Sequence, residues 1–187
     1  MALKKVIFKL LLFSVTLFIF SCSTTVIVEE SPRLEGRPPG LIIASDKAVE
    51  NGKKHLRKGR CDKAIHEFNK ALAKNPNNFE ALYWLGVAEG MCGYYSRAYD
   101  RLMLALRYSP NKGWEARVNA TIGLVLLLSG RDGDAQIYFG RARMIDPRNE
   151  LVIRYYEWER EIKGKGKGKN KKFRKEEGFE VVLRWLD

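Results

Sequence analysis

Side chains that could bind a metal or act as a nucleophile are scarce in this chain, which has three cysteines and two histidines among 187 residues. His55, Cys61 and His66 are the only ones that fall close together in sequence. They lack the paired spacing of zinc ligands, and the carboxylates are scattered among lysines, as on solvated helices. We therefore expect no catalytic site, no metal and no cofactor, and the chain is predicted not to be an enzyme.

Cys22 is different because it ends an apolar segment near the N-terminus, which reads KKVIFKLLLFSVTLFIFSCSTT. The uncharged run from Leu10 to Phe20 is about eleven residues, the length of a signal-peptide core and short of a membrane span. A positive start, an apolar centre and a small residue at the end predict an export signal. An uncleaved membrane anchor and a buried core helix are the alternatives.

The residues around Cys22 resemble the lipobox of bacterial lipoproteins. Ile19, Ser21 and Cys22 match it, whereas Phe20 stands where a small residue is usual. The resemblance implies cleavage before Cys22, attachment of lipid (including palmitate) to the cysteine, and a periplasm-facing location in a bacterial envelope. Ser23, in place of aspartate, favours the outer membrane. Cleavage removes three lysines and no acid, which lowers the formal net charge from +12 to +9.

A proline-containing stretch follows the cysteine. Pro32, Pro38 and Pro39 restrict the backbone and remove hydrogen-bond donors, and few large apolar residues follow Val28. This composition favours an extended chain. We predict a linker over residues 22–44 that holds a folded domain away from a membrane surface.

Three segments of the chain repeat one another, beginning at Gly52, Gly86 and Gly123, so that the copies lie 34 and 37 residues apart. The other shared positions are a second glycine (Gly59, Gly93, Gly130), an alanine (Ala64, Ala98, Ala135), a large apolar residue (Phe68, Leu102, Phe139), another alanine (Ala71, Ala105, Ala142) and a proline (Pro76, Pro110, Pro147). Small residues let two helices approach closely, and proline ends the second helix. Each copy is therefore predicted to be a helical hairpin that buries its apolar face by stacking.

This pattern resembles the tetratricopeptide repeat (TPR), which has a 34-residue period, Ala-x-x-x-Phe and a closing proline. The chain departs from it at aromatic positions of the first helices, where His55, Glu89 and Asn119 are among the replacements. The resemblance implies an all-α solenoid of about three TPR units. The predicted domains are a signal peptide at 1–21, the linker, TPR units at 45–78, 79–112 and 116–149, and a capping helix at 150–162.

The chain changes character twice after the third repeat. Leu151, Tyr155, Trp158 and Ile162 recur at helical spacing, which predicts the helix that caps the stack. Residues 163–187 are then predicted to be a basic disordered tail with a short apolar C-terminal segment. Its expected polyanion-binding residues are Lys163, Lys165, Lys167, Lys169, Lys171, Lys172, Arg174 and Lys175.

Cys61 and Cys92 remain as an even pair if Cys22 is lipidated. Both are predicted near hairpin turns at one edge of the stack, where neighbouring turns lie about 10 Å apart. A disulfide needs Cα atoms within about 7 Å. Two partly buried thiols are therefore expected, although an oxidising envelope would permit a bridge.

The resemblance also implies that the first helix of each hairpin lines a concave groove. The residues at these positions are Tyr83, Trp84, Val87, Met91, Ala120, Leu124 and Leu127, with Val49, Lys53 and Leu56 from the first copy. If exposed, so apolar a patch marks a binding site, in which Tyr83 and Trp84 are of the hot-spot type. Packing against neighbouring helices is the alternative. The segment from Phe179 to Leu186 could fold back into the groove or reach a second copy.

Two functions fit this organisation. The first is a membrane-anchored protein–protein interaction scaffold or assembly factor of the bacterial envelope, which binds a partner segment in the apolar groove. The alternative is a basic protein that recognises anionic lipid or cell-wall polymer through its lysine-rich tail. Nucleic acid would suit the charge, but the export signal argues against it.

Overall fold

The computed structural model describes residues 38–164 and 172–186, so the signal peptide, Cys22 and most of the predicted linker lie outside the described residues. The described part holds eight α-helices, a final 3₁₀ turn (Arg184–Leu186) and no strand. In chain order the helices are α1 (Pro39–Arg57), α2 (Cys61–Lys74), α3 (Phe79–Met91), α4 (Tyr95–Arg107), α5 (Lys112–Leu128), α6 (Asp132–Ile145), α7 (Glu150–Gly164) and α8 (Lys175–Leu183). None of these helices has the length and hydropathy of a membrane span.

Helices α1 to α6 form three stacked hairpins, and the predicted all-α solenoid is confirmed. We call α1, α3 and α5 the inner helices and α2, α4 and α6 the outer helices. The two helices of a hairpin lie close together at the first repeated glycine. A Cβ atom on Gly52 of α1 would lie only 2.4 Å from the Phe68 ring of α2, so this position has no room for a side chain. The second glycine follows the inner helix: Gly59 adopts φ +65° and Gly93 φ +87°, the left-handed conformation that ends helices.

Asparagines begin two of the inner helices. The side-chain oxygens of Asn78 and Asn111 each accept a hydrogen bond from the backbone N–H three residues later, at 3.0 Å. Helix α1 begins instead at Pro39, whose fixed φ suits a first helical turn. The linker prediction for 22–44 is therefore wrong from Pro39 onward, and Ser45, which follows that range, is already fully buried.

Helix α7 continues the stack, with the Tyr155 ring stacked on that of Phe139 in α6 at 4.0 Å between centroids. The prediction of a disordered tail is wrong for the part that the structure describes. Lys163 belongs to α7, and the chain from residue 172 onward is packed, with Phe173 and Phe179 buried. Burying these large side chains stabilises the segment by enough to order it despite the basic run before it.

The expectation of two free thiols is also wrong, because a disulfide joins Cys61 and Cys92, with their Cα atoms 5.9 Å apart. Cys61 is the first residue of α2 and Cys92 immediately follows α3. The 10 Å spacing used in the prediction separates the axes of packed helices. Residues at two adjacent helix ends can approach more closely, and this pair does.

Candidate interaction groove

The six residues predicted to bind a partner lie on α3 and α5, and the structure buries five of them. These are Tyr83, Trp84, Val87, Leu124 and Leu127, whereas Met91 is partly exposed. Ala120, Val49 and Leu56 are buried as well. A groove whose apolar side chains are open to solvent is therefore absent from the part of the intact chain that the structure describes.

Tyr83 is buried because it packs between α3 and α5. Its ring lies 4.8 Å from that of Trp84 and 5.3 Å from that of Trp114, both edge-to-face. Its hydroxyl is 3.1 Å from the Thr121 hydroxyl. Burial raises the pKa of Tyr83 far above its ordinary value, with the Thr121 hydrogen bond opposing the shift. The alternative of helix packing therefore holds for this residue.

Helix α8 lies on the face that α3 and α5 would otherwise expose, and it also contacts α7. A Cβ on Gly90 of α3 would lie 2.8 Å from the Phe179 ring, and one on Gly178 of α8 would lie 2.5 Å from Leu124 of α5. The two glycines thus allow α8 to approach both inner helices closely. We call this face of α3 and α5, now covered by α8, the groove. The C-terminal segment does fold back into it, as one of the two sequence-based alternatives proposed.

Polar contacts fix the C-terminal end of this segment. The Arg57 guanidinium donates a hydrogen bond to the backbone carbonyl of Leu186 at 3.0 Å. Arg184 pairs with Glu150 at 2.5 Å. Both side chains of that ion pair are about half exposed, so it contributes little to stability and mainly sets the orientation.

A cavity of about 360 Å³ remains beside the segment, lined by Lys53, Glu80, Arg117 and three tryptophans, among other residues. The ammonium of Lys53 is 3.0 Å from Glu50 and 3.1 Å from Glu80. Burial lowers the pKa of Lys53, but the two carboxylates outweigh this effect, so the pKa is raised above its ordinary value. Lys53 therefore stays protonated and offsets one of the two negative charges beside it.

Several residues that hold the segment were missed by the sequence-based prediction. Arg117 lies over the Trp114 ring at 5.0 Å and the Trp185 ring at 5.6 Å, so it bridges α5 to the final turn. Trp114 and Arg117 lie one helical turn apart in the sequence, and this spacing indicates the contact between them. Nothing local in the sequence indicated that Arg57 and Glu150 would meet the C-terminus.

The basic residues predicted to bind polyanions divide into two groups. Lys163 pairs with Glu159 at 2.9 Å and Arg174 with Glu177 at 3.0 Å, so these two cations are locally neutralised. The four lysines Lys165, Lys167, Lys169 and Lys171 lie outside the described residues. Lys172 is exposed and Lys175 begins α8. Polyanion binding by the tail stays a prediction.

One group of potential metal ligands is found in the described ranges, 38–164 and 172–186. It comprises Cys61, Asp62 and Cys92, whose ligand atoms lie within 4.8 Å of one another. The two sulfurs are bonded to each other, so neither offers the thiolate that zinc requires. His55 and His66 do not belong to this group. The arrangement therefore gives no support for a metal centre in this state.

Comparisons with known proteins agree with the geometry. Residues 52–90 match a family model described as a TPR repeat. No curated protein matches the chain. The crystal structure of MamA is similar in shape, with a TM-score of 0.54 and 20% sequence identity, over 75% of this chain and 77% of that chain. At this identity the likeness shows the fold alone, which is a TPR-type helical solenoid. The match to a TPR repeat suggests a scaffold for protein–protein interaction.

Proposed function

We propose that this protein is a lipid-anchored scaffold of the bacterial envelope and that the groove binds a segment of a partner protein in place of α8. The observation that carries the proposal is α8 itself. A short helix with a phenylalanine anchor lies across the inner helices, so this face is already suited to a helix-in-groove interaction.

The contacts of α8 define the partner segment. Phe179 lies against Gly90, where no side chain competes for the space, and Gly178 lets the helix approach Leu124. Near the C-terminal end, Glu150 accepts a basic side chain. A competing segment is therefore an amphipathic helix with an aromatic anchor beside a small residue and a basic residue about one and a half turns later.

The anchor and the compartment rest on separate observations. The lipobox-like residues before Cys22 supply a lipid attachment point, and a diacyl or triacyl group would hold the chain stably at a bilayer. The Cys61–Cys92 disulfide supports an oxidising compartment, because disulfides persist there and are rare in the cytosol. Labelled fatty acid should enter the native chain and not Cys22→Ala, and persistent labelling of that variant would remove the anchor from the proposal.

The groove is tested by supplying α8 in trans. A chain ending at Gly164 should bind a labelled peptide of residues 172–186, while the full chain should bind it far more weakly. The reason is that a tethered α8 competes at an effective concentration on the order of millimolar. A peptide with Phe179→Ala is the matched control and should bind at least about tenfold less tightly.

A second variant guards against misfolding of the shortened chain. The full chain carrying Phe179→Ala keeps the sequence of all the described helices except for this one side chain, and it should admit the native peptide more readily than the unmodified chain does. If both proteins keep their helix content by circular dichroism and neither distinguishes the two peptides, the groove is not the binding site.

A further inference from the structure

The outward side of α6 carries a stripe of residues that nothing covers in the part of the chain that the structure describes. Gly133, Ile137, Gly140 and Met144 follow one another at spacings of four, three and four residues, which places them on one line along the helix. The side chains are open to solvent, with Ile137 53% exposed and Met144 80% exposed. We call these four residues the α6 stripe.

The two glycines of the stripe have no packing role within the described chain. A Cβ on Gly133 or Gly140 would meet nothing within 4 Å, in contrast to Gly52. Neither glycine has a positive φ. A glycine in the middle of a helix destabilises it relative to alanine, and Gly140 lies in the middle of α6, whereas Gly133 lies in its first turn. No contact within the described chain compensates for the glycine at position 140. The open space above the two glycines can hold a side chain of another molecule.

We propose that the α6 stripe binds the α6 stripe of a second copy of this chain, antiparallel and about a twofold axis. In that arrangement Ile137 lies over the partner's Gly140 and Met144 over the partner's Gly133, so every large side chain meets a small one. A parallel pairing would set isoleucine against isoleucine and glycine against glycine. The alternation of large and small residues thus specifies the direction as well as the partner.

A hollow beside Gly133 provides a seat for the methionine. It has a volume of about 220 Å³ and lies between α6 and α7, where Leu127, Tyr155 and Ile162 contribute apolar walls. In the proposed dimer the partner's Met144 lies at the rim of this hollow. Methionine is unbranched and adapts to irregular gaps, so it suits a seat formed by another chain.

The charges that flank the stripe are complementary in the same arrangement. Asp134 and Arg141 lie on one side of the stripe, and the twofold axis sets each Asp134 against the partner's Arg141. Arg141 has no carboxylate partner in the described chain and lies over the Tyr138 ring at 4.9 Å. Asp134 already pairs with Arg131 at 2.7 Å, so the partner's arginine would extend an existing pair into a network.

The association is expected to be weak, because two short helices form a small interface. The chain also carries a net charge of +12, so two copies repel each other at long range, and salt at about 0.15 M is needed to screen this. Sedimentation equilibrium of the full chain in density-matched detergent should show a monomer–dimer equilibrium. Ile137→Lys and Gly140→Leu should each abolish the dimer.

Matched variants separate pairing from folding. Ile43→Lys, at a 68% exposed position of α1, should leave the dimer unchanged. Gly140→Leu replaces glycine by a strong helix former, so loss of the dimer in that variant cannot be attributed to unfolding. Arg141→Asp should weaken the dimer at least about tenfold, and adding Asp134→Arg should restore it, since the ion pair is then reversed.

Three results would overturn the proposal. One is a native chain that stays monomeric at about 0.5 mM, a concentration that would reveal even a weak contact. Another is a Gly140→Leu variant that dimerises as the native chain does. The third is a monomer whose stripe instead binds anionic vesicles, with that binding lost in Ile137→Lys, which would assign this face to a lipid surface.

Discussion

The inner helices α3 and α5 are buried around almost their whole circumference, whereas the outer helices α4 and α6 are buried along one side only. In α3 every residue from Ala81 to Gly90 is buried, but in α4 only Ala98, Leu102 and Ala105 are. The stack of hairpins covers each outer helix on one side, which is the side that carries its buried residues. The inner helices are covered on a second side because α8 lies there. Helix α8 therefore completes the core of this solenoid.

The largest expected effect is the loss of an inner side chain. Trp84 is 1% exposed, and Trp84→Ala should lower the free energy of unfolding by about 4 kcal/mol, because it removes a large buried ring and leaves a cavity. Tyr94, just before α4, is 45% exposed, and Tyr94→Ala should change the free energy of unfolding by less than about 1 kcal/mol. Urea unfolding followed by circular dichroism measures both. Similar losses would break the distinction between inner and outer helices.

The disulfide joins the end of an inner helix to the start of an outer one, and its removal should have the next largest effect. Constraining a loop between residues 31 apart stabilises the folded state by about 3.7 kcal/mol in the chain-entropy account. Reduced protein should therefore unfold at lower urea than oxidised protein. The variant with Cys61→Ser and Cys92→Ser should match the reduced protein and should not respond to reductant. A native chain indifferent to reductant would contradict the bridge.

Opening the groove should cost less, because α8 can detach without unfolding the hairpins. Phe179 is 3% exposed, and Phe179→Ala should lower stability by about 2 kcal/mol, short of a full core loss because the site can open locally. Amide hydrogen exchange should rise in α8 and leave α4 and α6 unchanged. Ile153→Ala, at a 42% exposed position, is the matched control. Faster exchange in the outer helices would mean that α8 supports the whole stack.

The smallest effect at neutral pH concerns Tyr155, because its ionisation changes stability only in alkaline solution. Burial raises the pKa of Tyr155 to about 12, and nearby Glu159 adds to the shift. In the unfolded chain the phenol ionises near its ordinary value of about 10. Between about pH 10 and pH 12 the unfolded state therefore loses a proton that the folded state keeps, and stability falls as the pH rises through that window. Urea unfolding at a series of pH values measures this loss of stability. Tyr155→Phe should reduce the loss between about pH 10 and pH 12, whereas Tyr94→Phe should leave it unchanged.

The stacked hairpins could be predicted because their determinants are local. Gly52 and Phe68 belong to one hairpin, and the same pairing recurs in each copy, so a repeat in the sequence became a repeat in space. The cover over the groove could not be predicted in the same way. It depends on Phe179 meeting Gly90 and on Leu186 meeting Arg57, and those contacts join distant parts of the chain.

A signal for that cover was nevertheless present. The segments FEALYWLGVA and ATIGLVLLL show no polar stripe, and a helix that is apolar all round is buried all round. The TPR resemblance implied a groove open to solvent. The apolar composition of α3 and α5 indicated instead that another part of the chain covers this face. The disulfide was missed for another reason, since helix-axis spacing does not describe the ends of adjacent helices.

The bond between Cys61 and Cys92 also limits how far this chain can be stretched. Under a force applied at the two ends, the residues that the bond encloses, with a sequence separation of 31, cannot be drawn out. At about 3.4 Å for each extended residue, roughly 100 Å of chain is withheld until the bond is reduced. If the N-terminus is tethered as proposed, α2 and α3 resist a pull as one mechanical unit, while the hairpin of α5 and α6 is free to unravel.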